Sequence, residues 1–207
     1  MTDADTGVPL ALRLRGALRN GAFVVSLGIL VLGLTAYGVL TISARSLSKA
    51  EFSAFAAEWS MLFALSGGFF LPLEQETTRA VAARVSRGQD IGPAVGRVGA
   101  LGGVIVLGLV VLLGALHQPI ADRVLDGQTG LLVALAAALP IMGALYLLRG
   151  ALAGTSRFGT YASALSGEGA TRVVAVALLA AAGAATAGSV GLAVALAPAL
   201  VLPVIAP

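Results

Sequence analysis

The sequence contains no cysteine and a single histidine, His117. Without cysteine there are no disulfides or thiolate metal ligands, and one histidine does not supply a histidine-based metal site. The phosphate-binding pattern G-x-x-x-x-G-K-[ST] is also missing, so we expect no nucleotide hydrolysis. Ser66 and Ser166 lack the preceding glycine of an intramembrane serine protease motif and a suitably spaced histidine. We therefore expect no enzymatic activity, no metal and no cofactor.

Charged residues are scarce as well. They make up 11% of the 207 residues, hydrophobic residues make up 58%, and the mean hydropathy is +0.97. A soluble domain has roughly 25% charged residues, so this chain cannot be solvated on all sides. Apolar runs of about 20 residues, enough to cross about 30 Å of hydrocarbon, recur along it. The sequence predicts an all-α, polytopic membrane bundle, because an open sheet would leave unpaired backbone groups in lipid.

Six transmembrane helices account for the apolar runs. Residues 1–20 are predicted to form a cytoplasmic tail, and residues 21–207 the bundle. The first apolar run is longer than the ~7–15 residues of a signal peptide, so we expect it to remain as a helix. The last run stops inside its own apolar stretch, which predicts a product truncated at its C-terminus. The predicted spans are 21–42, 52–71, 98–116, 129–148, 167–186 and 189–206, with the weakest boundary between the last two.

Basic residues are distributed unevenly between the two ends of these spans. If every span crosses, ten fall on the side of the N-terminus and three on the other. Because basic residues are retained on the cytoplasmic side, this asymmetry predicts a cytoplasmic N-terminus. Topology then explains the net charge of +3, and we expect no nucleic-acid partner. The ten are Arg13, Arg15, Arg19, Arg79, Arg84, Arg87, Arg97, Arg149, Arg157 and Arg172; the three are Arg45, Lys49 and Arg123.

Glycines predict where helices approach each other and where the chain turns. A stripe of four at the start of the third span, with spacings of 4, 3 and 4, predicts close helix packing. For the pair Gly150 and Gly154, simple glycine abundance is the preferred explanation. The glycine-rich stretch between Arg149 and residue 157 predicts a turn, followed by a short helix along the membrane surface at 157–165. The stripe is Gly92, Gly96, Gly99 and Gly103.

The second span ends in an unusual group of polar residues. The stretch "LPLEQETTR" runs from apolar residues directly into Glu74, Gln75, Glu76 and Arg79. On a helix, Gln75 and Glu76 lie four and three residues before Arg79, so both can reach its guanidinium. Two interpretations remain open: these side chains face an internal cavity, or they are ordinary charges on a helix that leaves the membrane.

Two further acidic residues are candidates for function. Glu58 lies inside the second span, where an ionised side chain costs ~2.5–3.5 kcal/mol at mid-membrane on insertion scales. It is a candidate for proton coupling or gating, or else it lies at the interface beside Trp59. Glu168 precedes Arg172 by four residues, the favoured order for a helix ion pair. That pair either binds substrate or fixes the start of the fifth span.

The stretches "FFLPLEQETTRAVAARVSRGQ" and "YLLRGALAGTSRFGTYASALSGEGATR" resemble the polysaccharide exporters of the multidrug/oligosaccharidyl-lipid/polysaccharide flippase superfamily. The closest likeness is to actinobacterial polysaccharide-biosynthesis membrane proteins, and it covers nearly the whole chain. The resemblance implies two six-helix lobes around a central cavity, alternating access, and lipid-linked saccharides carried across the bacterial cytoplasmic membrane. Only the first lobe is present here. A second lobe or a second copy would have to complete the cavity, or the product cannot transport.

The resemblance also implies roles for particular residues. Glu74, Gln75, Glu76 and Arg79 would lie at the cytoplasmic end of the lobe, near the cavity. Glu168 and Arg172 would join them in substrate binding. Arg79 and Arg172 are the candidates for contacting a lipid diphosphate, because guanidinium forks match phosphate geometry. Two alternatives to this export function remain: a non-transporting scaffold or partner of a polysaccharide synthase, and a drug exporter of the same superfamily.

Overall fold

The computed structural model describes residues 21–205. The predicted cytoplasmic tail with Arg13, Arg15 and Arg19, and the last two residues of the chain, lie outside that range. The described part is helical and contains no β-strand. Its α-helices are α1 Gly21–Ser46, α2 Lys49–Leu65, α3 Leu71–Val85, α4 Gly92–Ala115, α5 His117–Arg123, α6 Thr129–Gly154, α7 Phe158–Ala181, α8 Ala187–Leu196 and α9 Leu202–Ile205.

The prediction of an all-α bundle with six membrane-spanning helices is confirmed. Six helical stretches are long and apolar enough to cross a membrane, by length and composition. Large apolar side chains such as Leu34, Val104 and Leu107 are well over half exposed on the outside of the bundle. Such an exterior suits hydrocarbon as its solvent. The six stretches are Gly21–Ser46, Lys49–Val85, Gly92–Ala115, Thr129–Gly154, Phe158–Ala181 and Ala187–Val204.

The second span is one long helical stretch made of α2 and α3. Its start is fixed by a capping box, in which the Ser48 hydroxyl accepts from the Glu51 N–H while the Glu51 side chain accepts from the Ser48 N–H. A π-helical turn at Ser66–Phe70 joins the two helices, and the Leu71 N–H donates to the Ser66 carbonyl. Pro72 is the second residue of α3. Because proline clashes with the carbonyl four residues earlier in an α-helix, the wider turn relieves that conflict.

The fifth span differs from its prediction. The structure contains no separate surface helix at 157–165; α7 runs without a break from Phe158 to Ala181. The predicted turn is present at Thr155 and Ser156, but Gly150 and Gly154 before it belong to α6. Glycines of α1 and α7 serve close packing between these two helices. A Cβ at Gly169 would collide with Thr35 of α1, and a Cβ at Gly28 would lie 3.0 Å from the backbone of Ala162. Small residues let two membrane helices approach closely, and here they do so without interrupting either helix.

The structure corrects the glycine stripe on α4 in part, because only Gly99 faces α6, where a Cβ would lie 3.1 Å from Leu147 Cδ2. Among the described residues, a Cβ at Gly96 or Gly103 would meet no atom within 4 Å, so these glycines are not helix contacts. The pair attributed to abundance, Gly150 and Gly154, packs more closely than any glycine of the stripe. A Cβ at Gly150 would lie 2.6 Å from the Glu74 carbonyl oxygen, and one at Gly154 would lie 2.7 Å from Val81 Cβ. Helices α3 and α6 therefore touch at backbone distance, where the Thr78 hydroxyl also donates to the Gly150 carbonyl at 3.2 Å.

The helices form two unequal groups. Helix α6 lies at the centre of the larger group and packs against α3, α4 and α8, with Leu131, Leu135 and Leu139 almost completely buried. Helix α1 packs along the length of α7 and makes few contacts with α2, although α2 follows it in the chain. A space therefore remains between the α1–α7 pair and the larger group, and it contains the candidate site.

Candidate functional site

Four charged side chains from three helices meet inside the bundle. They are Glu74 of α3, Arg149 of α6, and Glu168 and Arg172 of α7, and we call them the buried ion cluster. Glu74, Arg149 and Glu168 are each less than 10% exposed. Charges taken out of water must be paired to be tolerated, and here every member contacts at least one partner of opposite charge.

Arg149 is the central member of this cluster. Its Nε lies 3.0 Å from Glu74 Oε2, its Nη2 lies 2.9 Å from the same oxygen, and its Nη1 lies 2.9 Å from Glu168 Oε2. The guanidinium also stacks on the ring of Tyr146, with Cζ 3.9 Å from the ring centroid. Arg149 thus joins α3 to α7 through one planar group. Such a fork of fixed donors orients two carboxylates at once.

The cluster continues on both sides of Arg149 as a row of polar contacts. On one side, the Tyr161 hydroxyl donates to Glu74 Oε1 at 2.5 Å. On the other, Arg172 Nη1 lies 2.8 Å from Glu168 Oε1, which confirms the predicted ion pair within α7. Arg172 Nε donates to the Val194 carbonyl of α8 at 3.2 Å. The row therefore crosses the bundle from α3 to α8.

The buried ion cluster forms one wall of a cavity of about 360 Å³. Apolar side chains from α1 and α2 form the opposite wall, among them Leu32, Trp59 and Phe63. Ile29 and Phe63 line the cavity and are also more than half exposed, so the cavity opens at the surface where α1 and α2 separate. Its volume lies at the small end of the range of ligand sites, about 300–1,000 Å³. The arrangement presents charges and an apolar surface to one space.

Glu58 lies deeper and has no hydrogen-bonding partner. Its side chain is completely buried, and neither carboxylate oxygen is hydrogen-bonded by any residue in the described range. Arg172 is the charged group whose field acts on it. Trp59 is also buried and packs between Phe55 and Phe63, with ring centroids 6.0 and 5.3 Å away. Trp59 therefore faces the interior of the bundle, so its side chain does not form part of an outward-facing aromatic belt.

The structure separates the predicted site residues into two sets. Glu74 lies in the buried ion cluster, together with Glu168 and Arg172. Glu76 and Arg79 do pair, at 2.6 Å, but their side chains are 42% and 73% exposed and they do not line the cavity. Gln75 is exposed as well. Helix α3 turns Glu74 inward with Thr77 and Val81, and this periodicity directs the other three residues outward.

Arg149 and the two tyrosines that contact the cluster, Tyr146 and Tyr161, are the site residues that sequence reasoning missed. Arg149 was predicted to end the fourth span and was counted as a cytoplasmic charge, whereas α6 continues to Gly154 and buries it. Arg172 is also inside the bundle. With these two removed, eight basic residues remain against three in the topology count, so the asymmetry persists. An available signal was the position of Arg149, with apolar or small residues on both sides of it.

No family model, curated protein or solved structure matches the chain. The fold and the site therefore define it only by class: a helical bundle with six candidate membrane spans, whose buried ion cluster lines an internal cavity. Within that class, a particular function can be argued from the geometry of the cavity.

Proposed function

We propose that this chain is one lobe of a membrane transporter that moves a lipid-linked saccharide across the bacterial cytoplasmic membrane by alternating access. The observation that carries the proposal is the cavity between the α1–α7 pair and the remaining helices. It combines three buried charged side chains and the partly buried Arg172 with an apolar wall. Ionisable residues inside membrane bundles commonly mark substrate or ion pathways.

The chemistry of the two walls favours an amphipathic substrate. Arg172 is the most accessible cation of the buried ion cluster, with 15% of its side chain exposed, and we assign it to the polar headgroup. The apolar wall and the opening beside Phe63 suit the hydrocarbon part, which would extend toward the lipid. A diphosphate would have to compete with Glu168 for the Arg172 guanidinium. Arg79 is too exposed to take part in the cavity itself, so we restrict it to the approach of the substrate.

The packing of the helices supports an opening motion. Helix α1 is held by α7 and makes few contacts with α2, so the two groups of helices can separate along the cavity. The π-helical turn, with Ser66 and Gly67 at the cavity, lies where α2 joins α3. Such turns inside α-helices are frequent at functional sites. We further propose that the N-terminus is cytoplasmic and that a second lobe or a second copy closes the open side.

One observation favours a second candidate, a non-transporting scaffold or partner of a polysaccharide synthase. Both guanidiniums of the buried ion cluster are already neutralised by carboxylates within the chain. A network whose charges are all paired within the chain needs no ligand, and its role can be simply to fix the positions of the helices. The two candidates differ in whether the cavity binds a ligand.

Ligand binding to the full chain in lipid nanodiscs tests the proposal. The probe is a polyprenyl diphosphate saccharide, and the signal is the fluorescence of Trp59, the only tryptophan, which lines the cavity. We expect saturable binding that Arg172→Gln weakens about tenfold or more, because a charge-assisted hydrogen bond contributes about 1.5–3 kcal/mol. Arg79→Gln, the matched control at an exposed arginine, should change the affinity less than about fivefold.

The other outcomes decide between the candidates. No binding by the wild type, together with copurification with a polysaccharide synthase, would reject the transporter and support the scaffold. Saturable binding of a lipophilic cation, and not of the diphosphate, would point to a drug exporter. Equal losses of affinity in Arg172→Gln and Arg79→Gln would show that the ligand does not bind in the cavity.

A further inference from the structure

The charges around the cavity do not balance without a proton. Glu58, Glu74 and Glu168 are three carboxyl groups, whereas Arg149 and Arg172 are two guanidiniums that stay protonated. With all three carboxyl groups ionised, this buried group would carry one net negative charge. One bound proton makes it neutral.

The contacts indicate which carboxyl group holds the proton. Glu74 accepts hydrogen bonds from Arg149 and Tyr161, and Glu168 contacts both guanidiniums. Glu58 accepts none from the described residues, and its side chain is fully buried. An ionised carboxylate in apolar surroundings is costly unless it is paired. The proton therefore belongs on Glu58.

Few other ionisable groups face Glu58 from the elements around it. Helix α8 carries none, and α6 contributes Arg149 and Tyr146, which are stacked on each other within the buried ion cluster. The ionisable residues of α1, Tyr37 and Arg45, are both exposed. On α2 itself, Lys49 and Glu51 lie at the far end of the helix, two turns away. From α7, Arg172 is the charged group that acts on Glu58, and Arg172 is itself paired with Glu168.

We propose that Glu58, buried beside the cavity, carries a single exchangeable proton, and that Arg172 is shared between Glu168 and Glu58 according to whether that proton is bound. Glu58 does not itself line the cavity, although its neighbour Trp59 does. When the O–H bond of Glu58 breaks, a carboxylate remains, and the proton reaches the water of the cavity once the side chains that cover Glu58 give way. That carboxylate attracts Arg172, whose pairing with Glu168 weakens. Since Arg172 and Glu168 line the cavity, its charged wall changes with each proton bound or released.

The row of polar contacts from Tyr161 to Arg172 extends along α7 in a way that would suit a path for this proton. Tyr161 lies three residues after the start of α7 and Arg172 fourteen, which is about 4.5 and 21 Å at ~1.5 Å per residue. Glu58 lies nine residues after the start of α2, about 14 Å from that end. The polar row thus leads from one end of the bundle toward its interior. A coupling role for the proton rests on the proposed function, whereas the proton site itself does not.

Trp59 allows the site to be tested without a transport assay. It is adjacent to Glu58, lines the cavity with Arg172, and is the only tryptophan. We expect its fluorescence, in the full wild-type chain in nanodiscs, to change with pH as a single-proton transition. Glu58→Gln should remove the transition and also the infrared absorption of a protonated buried carboxyl group. Glu76→Gln, an exposed carboxyl group on the same helical stretch, should keep both signals.

Charge variants of the two sharing partners sharpen the test. Glu168→Gln leaves two carboxyl groups for two guanidiniums, so the transition should move to lower pH, by about tenfold or more in proton affinity. Arg172→Gln leaves one guanidinium, so the transition should move to higher pH by a similar factor. Thermal unfolding of each variant reports whether it is folded. If either variant fails to fold, the infrared comparison of wild type, Glu58→Gln and Glu76→Gln still decides the proton site.

Several results would overturn the inference. An unchanged transition in Glu58→Gln would place the proton elsewhere, and shifts of the same sign in the two charge variants would exclude the sharing of Arg172. Loss of substrate binding with an intact Glu58-dependent transition would reject the proposed function and leave the proton site standing.

Discussion

Gly150 and Gly96 both lie in membrane-spanning helices, but an added methyl group would meet different surroundings at the two positions. At Gly150 it would lie 2.6 Å from the Glu74 carbonyl oxygen and equally close to Thr77 Cβ. At Gly96, among the described residues, it would meet nothing within 4 Å. The first glycine therefore holds α3 against α6 next to Arg149, its neighbour in the chain. A single residue without a side chain thus helps to place the buried ion cluster.

Alanine substitution at these glycines should give opposite effects on stability. Gly150→Ala should lower the free energy of unfolding by about 1–3 kcal/mol, the usual cost of overpacking. Gly96→Ala should be neutral or stabilising by up to about 1 kcal/mol, because alanine loses less conformational freedom in a helix. Thermal unfolding in detergent compares the two. Equal effects would mean that α3 and α6 do not touch at Gly150.

At the scale of elements, the joined helices α2 and α3 show how an irregular turn serves the site. A π-helical turn holds one residue more than an α-helical turn, and here it lies between Glu58 and Glu74. Removing one residue from it would convert the bond from the Leu71 N–H to the Ser66 carbonyl into an ordinary α-helical one. Glu58 on α2 and Glu74 on α3 would then keep their directions relative to each other. Pro72 is the residue that an α-helical turn would not accommodate.

Single-residue deletions in this stretch should therefore have unequal effects. Deleting Gly68 in a Pro72→Ala background should leave the thermal unfolding midpoint close to that of Pro72→Ala alone. Deleting Ala80 in the same background rotates the residues that follow by about 100°, which takes Val81 away from Gly154 and should destabilise the bundle strongly. Comparable destabilisation by the two deletions would show that the π-helical turn absorbs no residue.

At the scale of the whole molecule, two groups of helices meet at a charged contact. The α1–α7 pair is joined to the larger group through the row of contacts that runs from Tyr161 to Val194. The cavity lies in the same boundary. The same boundary holds the buried apolar cluster of Leu145, Leu152, Ala164 and Val201. Any separation of the two groups therefore breaks contacts of Arg149 and Arg172 together with this apolar packing. The direction of such a motion relative to the cell depends on how the bundle is oriented in its membrane.

Cysteine labelling tests this orientation, because the native chain has no cysteine. Gln89 lies in the turn between α3 and α4, and Gln128 precedes α6, beyond the other end of α4. With a cytoplasmic N-terminus, an impermeant reagent should label Gln128→Cys in intact cells and Gln89→Cys only after permeabilisation. The reverse pattern would contradict the orientation. Labelling of both from one side would contradict a crossing by α4.

The sequence by itself determined that the protein is an all-α membrane bundle with six spans, and roughly where they lie, although the end of the fourth and the start of the fifth were misplaced. The reason is that a span depends on local composition: about 20 apolar residues either occur together or do not. Short-range pairs were equally accessible, as with Glu168 and Arg172, because helical spacing alone brings them together. The polar end of the second span was also visible, but not which of its residues turns inward.

The tertiary structure alone decided which charges form the site. Arg149 meets Glu74 across 75 positions of sequence, and Tyr161 meets it across 87. Such contacts depend on the rotation of each helix about its axis and on how closely α3, α6 and α7 approach. Glycines at the interfaces and the π-helical turn fix these quantities, and no local pattern encodes their combined result. For the same reason, the unpaired state of Glu58 became visible only when the surrounding helices were in place.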